Sequence, residues 1–82
     1  MKTETEIVKK YIIRKGKTLC LNYLLIEIGN MYGIKITYKD EANEVILKHI
    51  SRNAVLNMII RLSKTFTFPI ELEYILEDLS VF

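Results

Sequence analysis

Residues 18–34 read Thr18-Leu19-Cys20-Leu21-Asn22-Tyr23-Leu24-Leu25-Ile26-Glu27-Ile28-Gly29-Asn30-Met31-Tyr32-Gly33-Ile34, seventeen positions with a single charge, Glu27. Placed about 100° apart around a helix axis, Leu21, Leu24, Leu25, Ile28 and Tyr32 gather into a core-facing stripe. Leu19, Tyr23 and Ile26 then form a second apolar row on the far side. Burying one large apolar side chain is worth roughly 1.5–3 kcal/mol. Three left in water would forgo an amount comparable with the whole stability of a small domain. The reading therefore expects both sides of this segment to be covered. The cover is either the chain's own termini or a partner, and Leu19, Tyr23 and Ile26 are the candidate anchors for a protein partner or a second copy. A membrane span does not suit the segment, which is short and carries Asn22, Glu27, Gly29 and Asn30.

Thr18 is placed to cap this helix and Gly33 to end it in a left-handed conformation. Upstream, Ile7 to Ile13 is rich in β-branched residues and reads as a strand, with Lys15-Gly16-Lys17 as the turn that follows. Thr3 and Glu6 have capping-box spacing and would suit a short helix instead. Downstream, Ile34, Ile36 and Tyr38 alternate with Lys35, Thr37 and Lys39, the signature of a half-buried strand. Asp40-Glu41-Ala42-Asn43 is expected to turn, and Glu44 to Ile50 to return as a second strand. Ser51 caps a further helix whose Val55, Met58, Ile59 and Leu62 form one stripe, ending near Lys64. After Pro69, the alternation of Ile70, Leu72 and Tyr74 with Glu71 and Glu73 predicts a strand. Glu77-Asp78 then offers a turn, and Leu79 to Phe82 could pair back. The resulting order is β-α-β-β-α-β, an α+β fold with two helices packed on one face of a small, mainly antiparallel sheet.

Eighty-two residues without a repeat or low-complexity tract read as a single domain spanning 1–82. Half the residues are apolar, which excludes intrinsic disorder. The N-terminus has no uninterrupted apolar stretch of a signal peptide. The expected compartment is the cytoplasm if the chain is full length as given, and the periplasm if it is a domain cut from an envelope regulator. The net charge of +2 conceals an asymmetry. Residues 1–39 hold eight Lys/Arg against three Glu, or +5, whereas residues 40–82 hold four against seven acids, or −3. Lys9, Lys10, Arg14, Lys15 and Lys17 fall within nine residues containing no acid, a run that could meet phosphates. It could equally serve as a solvated sheet edge, since basic side chains keep edges from pairing wrongly.

The inventory for catalysis is bare. There is one His, one Cys, no His/Cys metal-ligand spacing and no glycine-rich phosphate loop. Cys20 and His49 lie on different predicted elements with no third residue to orient the imidazole. Cys20 cannot form an internal disulfide. Asp40, Glu41 and Glu44 lack the loop length and glycine of a calcium site. The reading is a protein without an enzymatic centre, cofactor or metal.

Two family resemblances bear on function. Tyr11-Ile12-Ile13-Arg14-Lys15-Gly16-Lys17-Thr18-Leu19 followed by Gly33-Ile34-Lys35-Ile36 superficially resembles the RNA-binding KH domain. That module clamps phosphates with Gly-x-x-Gly between two helices. Here only Gly16 is present, with Ile13 where the first glycine would stand. A second resemblance covers about four fifths of the chain. It runs through Thr18-Leu19, Leu24-Leu25, Tyr32-Gly33-Ile34-Lys35-Ile36-Thr37-Tyr38, Val45-Ile46-Leu47, Ser51, Val55-Leu56, Ile59-Ile60, Leu62 and Ile70-Glu71-Leu72-Glu73-Tyr74. These segments look like the secretin and TonB short N-terminal domain, and still more like the C-terminal domain of FecR-type anti-sigma regulators. That likeness implies a periplasmic, non-catalytic protein-protein interaction module of bacterial envelope signalling. The alternatives are a KH-like nucleic-acid-binding domain working through Lys9, Lys10, Arg14, Lys15 and Lys17, and a small phage or mobile-element protein that inhibits a host factor.

Overall fold

Three two-residue turns, Lys15-Gly16, Gly29-Asn30 and Lys39-Asp40, divide the first 47 residues into four antiparallel strands. In the first turn both residues take positive φ, 51° and 74°, the conformation that lets a two-residue turn follow the twist of its strands. Gly29 and Lys39 open the other two at φ 58° and 53°. A computed structural model describes residues 1–78. It comprises β1 (Lys2–Arg14), β2 (Lys17–Ile28), β3 (Met31–Tyr38) and β4 (Glu41–Leu47), then α1 (Arg52–Lys64), a 3-10 turn (Pro69–Glu71) and α2 (Leu72–Asp78). The strands form one sheet in the order β1-β2-β3-β4. The fold is α+β, with both helices packed on one face of an antiparallel sheet, as the sequence implied.

The element order is different from the expected one. Residues 18–34 are not a helix but most of β2, a turn and the start of β3. Alternation therefore sets their facing. Leu21, Tyr23 and Leu25 point to the helix side and pack with Ile34, Ile36, Val55, Ile59, Leu62, Leu72 and Leu76 in the core. Ile26, of opposite parity, is fully buried on the other face and lies outside that cluster. A strand covered on both faces reads as a nearly continuous apolar run. The inference that both sides of the segment touch something is sound, and its helical geometry is replaced by that of a strand.

On the face that holds Ile26, side chains of the sheet reach across the strands. Lys35 of β3 reaches Glu4 of β1 at 2.7 Å, crossing β2, and Lys2 of β1 reaches Glu44 of β4 at 2.8 Å, crossing β2 and β3. Flat strands about 4.8 Å apart would hold β1 and β4 some 14 Å from each other. Lys2 is level with Met31 and Glu44 with Lys35, four residues or about 13 Å farther along β3, so the two side chains could not span a flat sheet and the sheet must curl towards this face for them to meet. Gly33 sits opposite Ile26 and Ile46, and a Cβ there would lie 2.5 Å from the Val45 carbonyl oxygen and 2.7 Å from the Ile46 side chain. Close approach, rather than a left-handed helix end, is what requires glycine at this position.

The other local expectations divide. The strand over Ile7–Ile13 is present and extends to Lys2–Arg14, with a bulge between Glu6 and Val8. The hairpin after Gly33 is present with a tighter turn, Glu41, Ala42 and Asn43 being strand rather than loop. Ser51 caps α1, its Oγ accepting from the Ala54 N–H at 3.2 Å, and Val55, Met58, Ile59 and Leu62 are all buried. The strand expected over 70–74 is instead helical. Leu72 and Leu76, four apart, are the buried pair, while the Glu71 carboxylate accepts from the Phe68 N–H at 3.0 Å and Pro69 opens the turn. The final strand expected at Leu79–Phe82 lies outside the described residues.

Candidate nucleic-acid interface

β3 pairs with β2 only from Leu21 onward, so Tyr11 to Cys20 extend beyond the sheet as a two-stranded arm. The molecule is accordingly long, 42 Å against 28 and 19 Å. The arm carries Arg14, Lys15 and Lys17 with Lys9 and Lys10 at its base, and no acid occurs between Glu6 and Glu27. Folding adds three further cations. Lys39 occupies the β3–β4 turn beside the arm, and Arg61 and Lys64 form the last turn of α1, whose chain continues into Phe66 beneath Lys10. Eight of the twelve Lys and Arg residues thus occupy one end of the molecule. Asp40 and Glu41 are the acids of the adjoining turn.

What holds these cations differs from what holds the other four. At the far end, Lys2, Lys35 and Arg52 are ion-paired with Glu44, Glu4 and Glu27. At the arm end, among the described residues, only Lys9 has a carboxylate within ion-pairing distance, Glu6 at 3.8 Å. Aromatic rings take the place of acids. Lys10 Nζ lies 5.8 Å from the Phe66 ring, Arg14 Cζ 5.9 Å from Phe68 and Lys39 Nζ 5.4 Å from Tyr38. Phe68 in turn meets Tyr38 edge-on, with ring centroids 5.1 Å apart. A ring positions a cation for about 0.5–1 kcal/mol at an exposed site without cancelling its charge. The result is a fixed, net positive surface.

On the helix-free face the arm continues into an open shelf. Lys9, Tyr11 and Ile13 of β1 stand across from Asn22, Cys20 and Thr18 of β2, and Thr37 of β3 adjoins Asn22. Tyr11 is 63% and Ile13 77% exposed. A polar row crosses the shelf, the Cys20 thiol donating to Asn22 Oδ1 at 3.6 Å and Asn22 Nδ2 donating to Thr37 Oγ1 at 3.2 Å. Alternation within β2 is the signal that would have found this row: once Lys15-Gly16 and Gly29-Asn30 are read as hairpin turns, Cys20 and Asn22 share a face.

The proposed anchors Leu19, Tyr23 and Ile26 do not form a docking row. Tyr23 and Ile26 are fully buried on opposite faces of β2, and Leu19 is half-buried opposite Ile12 on the helix side of the arm. Tyr23 is a core pin. Its hydroxyl donates to the Thr67 carbonyl at 3.0 Å, and burial, with a lesser contribution from Glu71, pushes its pKa up to about 12. Cys20 and His49 are also separated, for Cys20 pairs with Tyr11 in the arm while His49 follows β4 beside Asn30 and Met31. Among the described residues no three His, Cys, Asp or Glu side chains converge as metal ligands. No helix among them is long and apolar enough to cross a membrane.

The family model described as "Family of unknown function (DUF6514)" matches residues 1–80. No curated protein matches the chain, and no solved structure does.

Proposed function

We propose that this chain, which belongs to the DUF6514 family, is a non-catalytic nucleic-acid-binding module that lays a phosphate backbone along its basic β1–β2 arm. The observation that carries the reading is the partition of the cations. Three of the four distant from the arm are neutralised by carboxylates, whereas seven of the eight at the arm end have none within reach among the described residues. Keeping that many like charges together opposes folding through self-repulsion, and a polyanion relieves it. A two-stranded ribbon is also narrow enough to follow a groove or a single strand.

Protein docking is the second reading, favoured by Tyr11 and Ile13 exposed on an edge strand that could accept an added strand. FecR-type envelope signalling and inhibition of a host factor are its concrete forms. Two features weigh against it. The bulge between Glu6 and Val8 and the lysines beside it are devices by which edge strands avoid pairing. The FecR-type likeness also begins with a helix ending at Tyr32-Gly33, whereas residues 17–38 are two strands and the turn between them.

The test is fluorescence anisotropy of labelled oligonucleotides across a salt series. Log affinity should fall linearly with log salt, by about 0.7 per phosphate contacted on a single strand. The double variant Lys15→Glu/Lys17→Glu should weaken binding and flatten that slope. Absence of binding at low salt refutes the proposal, and salt-indifferent binding of a protein ligand would favour docking.

A further inference from the structure

The open shelf beside the arm has features that phosphate contacts leave unused. Resting on the nucleic-acid reading above, we infer that this shelf is a base platform and that the preferred ligand is a single strand, with Tyr11 stacking on a base. Tyr11 and Ile13 are the most exposed large apolar side chains of β1, and they share the face that neither helix covers. Neighbouring same-face residues of a strand are about 6.7 Å apart, twice the ~3.4 Å rise of stacked bases, so a base can enter between them. In a duplex the flat faces of each base are covered by its stacked neighbours, and only an unstacked base of a single strand can present one to a side chain.

The rest of the shelf suits base edges. An Asn amide has two donor hydrogens and an acceptor oxygen with two lone pairs. Asn22 uses one donor on Thr37 and one lone pair on Cys20, so one donor and one acceptor position remain. The same two bonds hold the amide fixed across the β2–β3 pair. One acid, Glu6, stands at the inner margin of the shelf and pairs with Lys9 at 3.8 Å, and the other half of this face is crossed by the Lys2–Glu44 and Lys35–Glu4 pairs. A strand of nucleic acid would therefore have its bases confined to the arm half, with Lys9 beside them and Lys15 and Lys17 at the tip for its phosphates.

The experiment measures the affinities of the full chain for a labelled oligothymidylate, a duplex of equal length, and heparin, a polyanion without bases. It uses the wild type, Tyr11→Ala and Tyr11→Phe. Tyr11 is largely exposed, so Tyr11→Ala should keep the wild-type melting curve, and Tyr11→Phe preserves stacking if it does not. The single strand should bind at least about tenfold tighter than the duplex. Tyr11→Ala should lose about 5- to 140-fold on the single strand, with heparin affinity unchanged, and Tyr11→Phe should retain wild-type binding. Equal affinity for strand and duplex, or an equal loss on heparin, overturns the platform while leaving the phosphate reading standing. No binding to any of the three at low salt overturns both. A dimer that Tyr11→Ala dissolves, with no oligonucleotide binding, would assign the shelf to a second copy of the chain.

Discussion

Lys2 and Glu44 meet at 2.8 Å although two whole strands separate them in the sheet, and the contact measures how far the sheet curls over Ile26. With the neighbouring Lys35–Glu4 pair it closes half of the helix-free face and leaves the other half open.

These pairs should give stability a particular pH dependence. The hydrogen bond from Lys35 holds the Glu4 carboxyl below its usual value of 4.5, so its contribution is complete above that pH and is lost as pH falls through the lowered value. The hydrogen bond to Glu44 raises Lys2 above 10.5, so its contribution is complete below that pH and disappears as pH climbs past it. Glu4→Gln should flatten the acid limb of a stability–pH profile measured by urea unfolding. An unchanged limb would show that the pair contributes nothing.

Tyr23→Phe removes a buried donor and leaves the Thr67 carbonyl unsatisfied, which should cost about 1–3 kcal/mol in chemical denaturation. The variant should also change the alkaline limb. Unfolded Tyr23 releases its proton near 10 and folded Tyr23 near 12, so wild-type stability should fall between those pH values, by at most about 1.4 kcal/mol per unit. Subtracting the Tyr23→Phe profile isolates that slope.

Gly33→Ala should destabilise by about 1–3 kcal/mol, the cost of overpacking, because the new methyl meets a backbone oxygen that cannot rotate away. Ile46→Ala in the same chain should relieve only part of it, since the 2.5 Å contact is with the Val45 carbonyl. Complete rescue in a double-mutant cycle would place the strain in the Ile46 side chain instead.

Ser51→Ala should cost about 0.5–2 kcal/mol, and Ser51→Asp should retain most of the capping energy, because either oxygen can accept from Ala54 N–H. Thermal melts of the three proteins are sufficient to decide this.

The chain's local chemistry by itself determined much of this protein. Lys15-Gly16 had to turn, Ser51 had to cap, Val55, Met58, Ile59 and Leu62 had to face inward, and five cations had to cluster with no acid among them. These depend on φ preferences, hydrogen-bonding side chains and periodicity within one element. Whether residues 18–28 coil or extend is another matter, because Leu21, Leu24, Leu25 and Ile28 fit a helical stripe as well as Leu21, Tyr23 and Leu25 fit one side of a strand. Only tertiary structure decided it, by packing one face against the helices and burying Ile26 on the other, so that both parities could be apolar. The same holds for Leu72 and Leu76, which are inward only because β4 and α1 leave a place for them. The interface is likewise a product of folding: Lys39, Arg61 and Lys64 are remote in sequence from the arm, and packing alone brings their charge to it while ion pairs cancel charge at the opposite end.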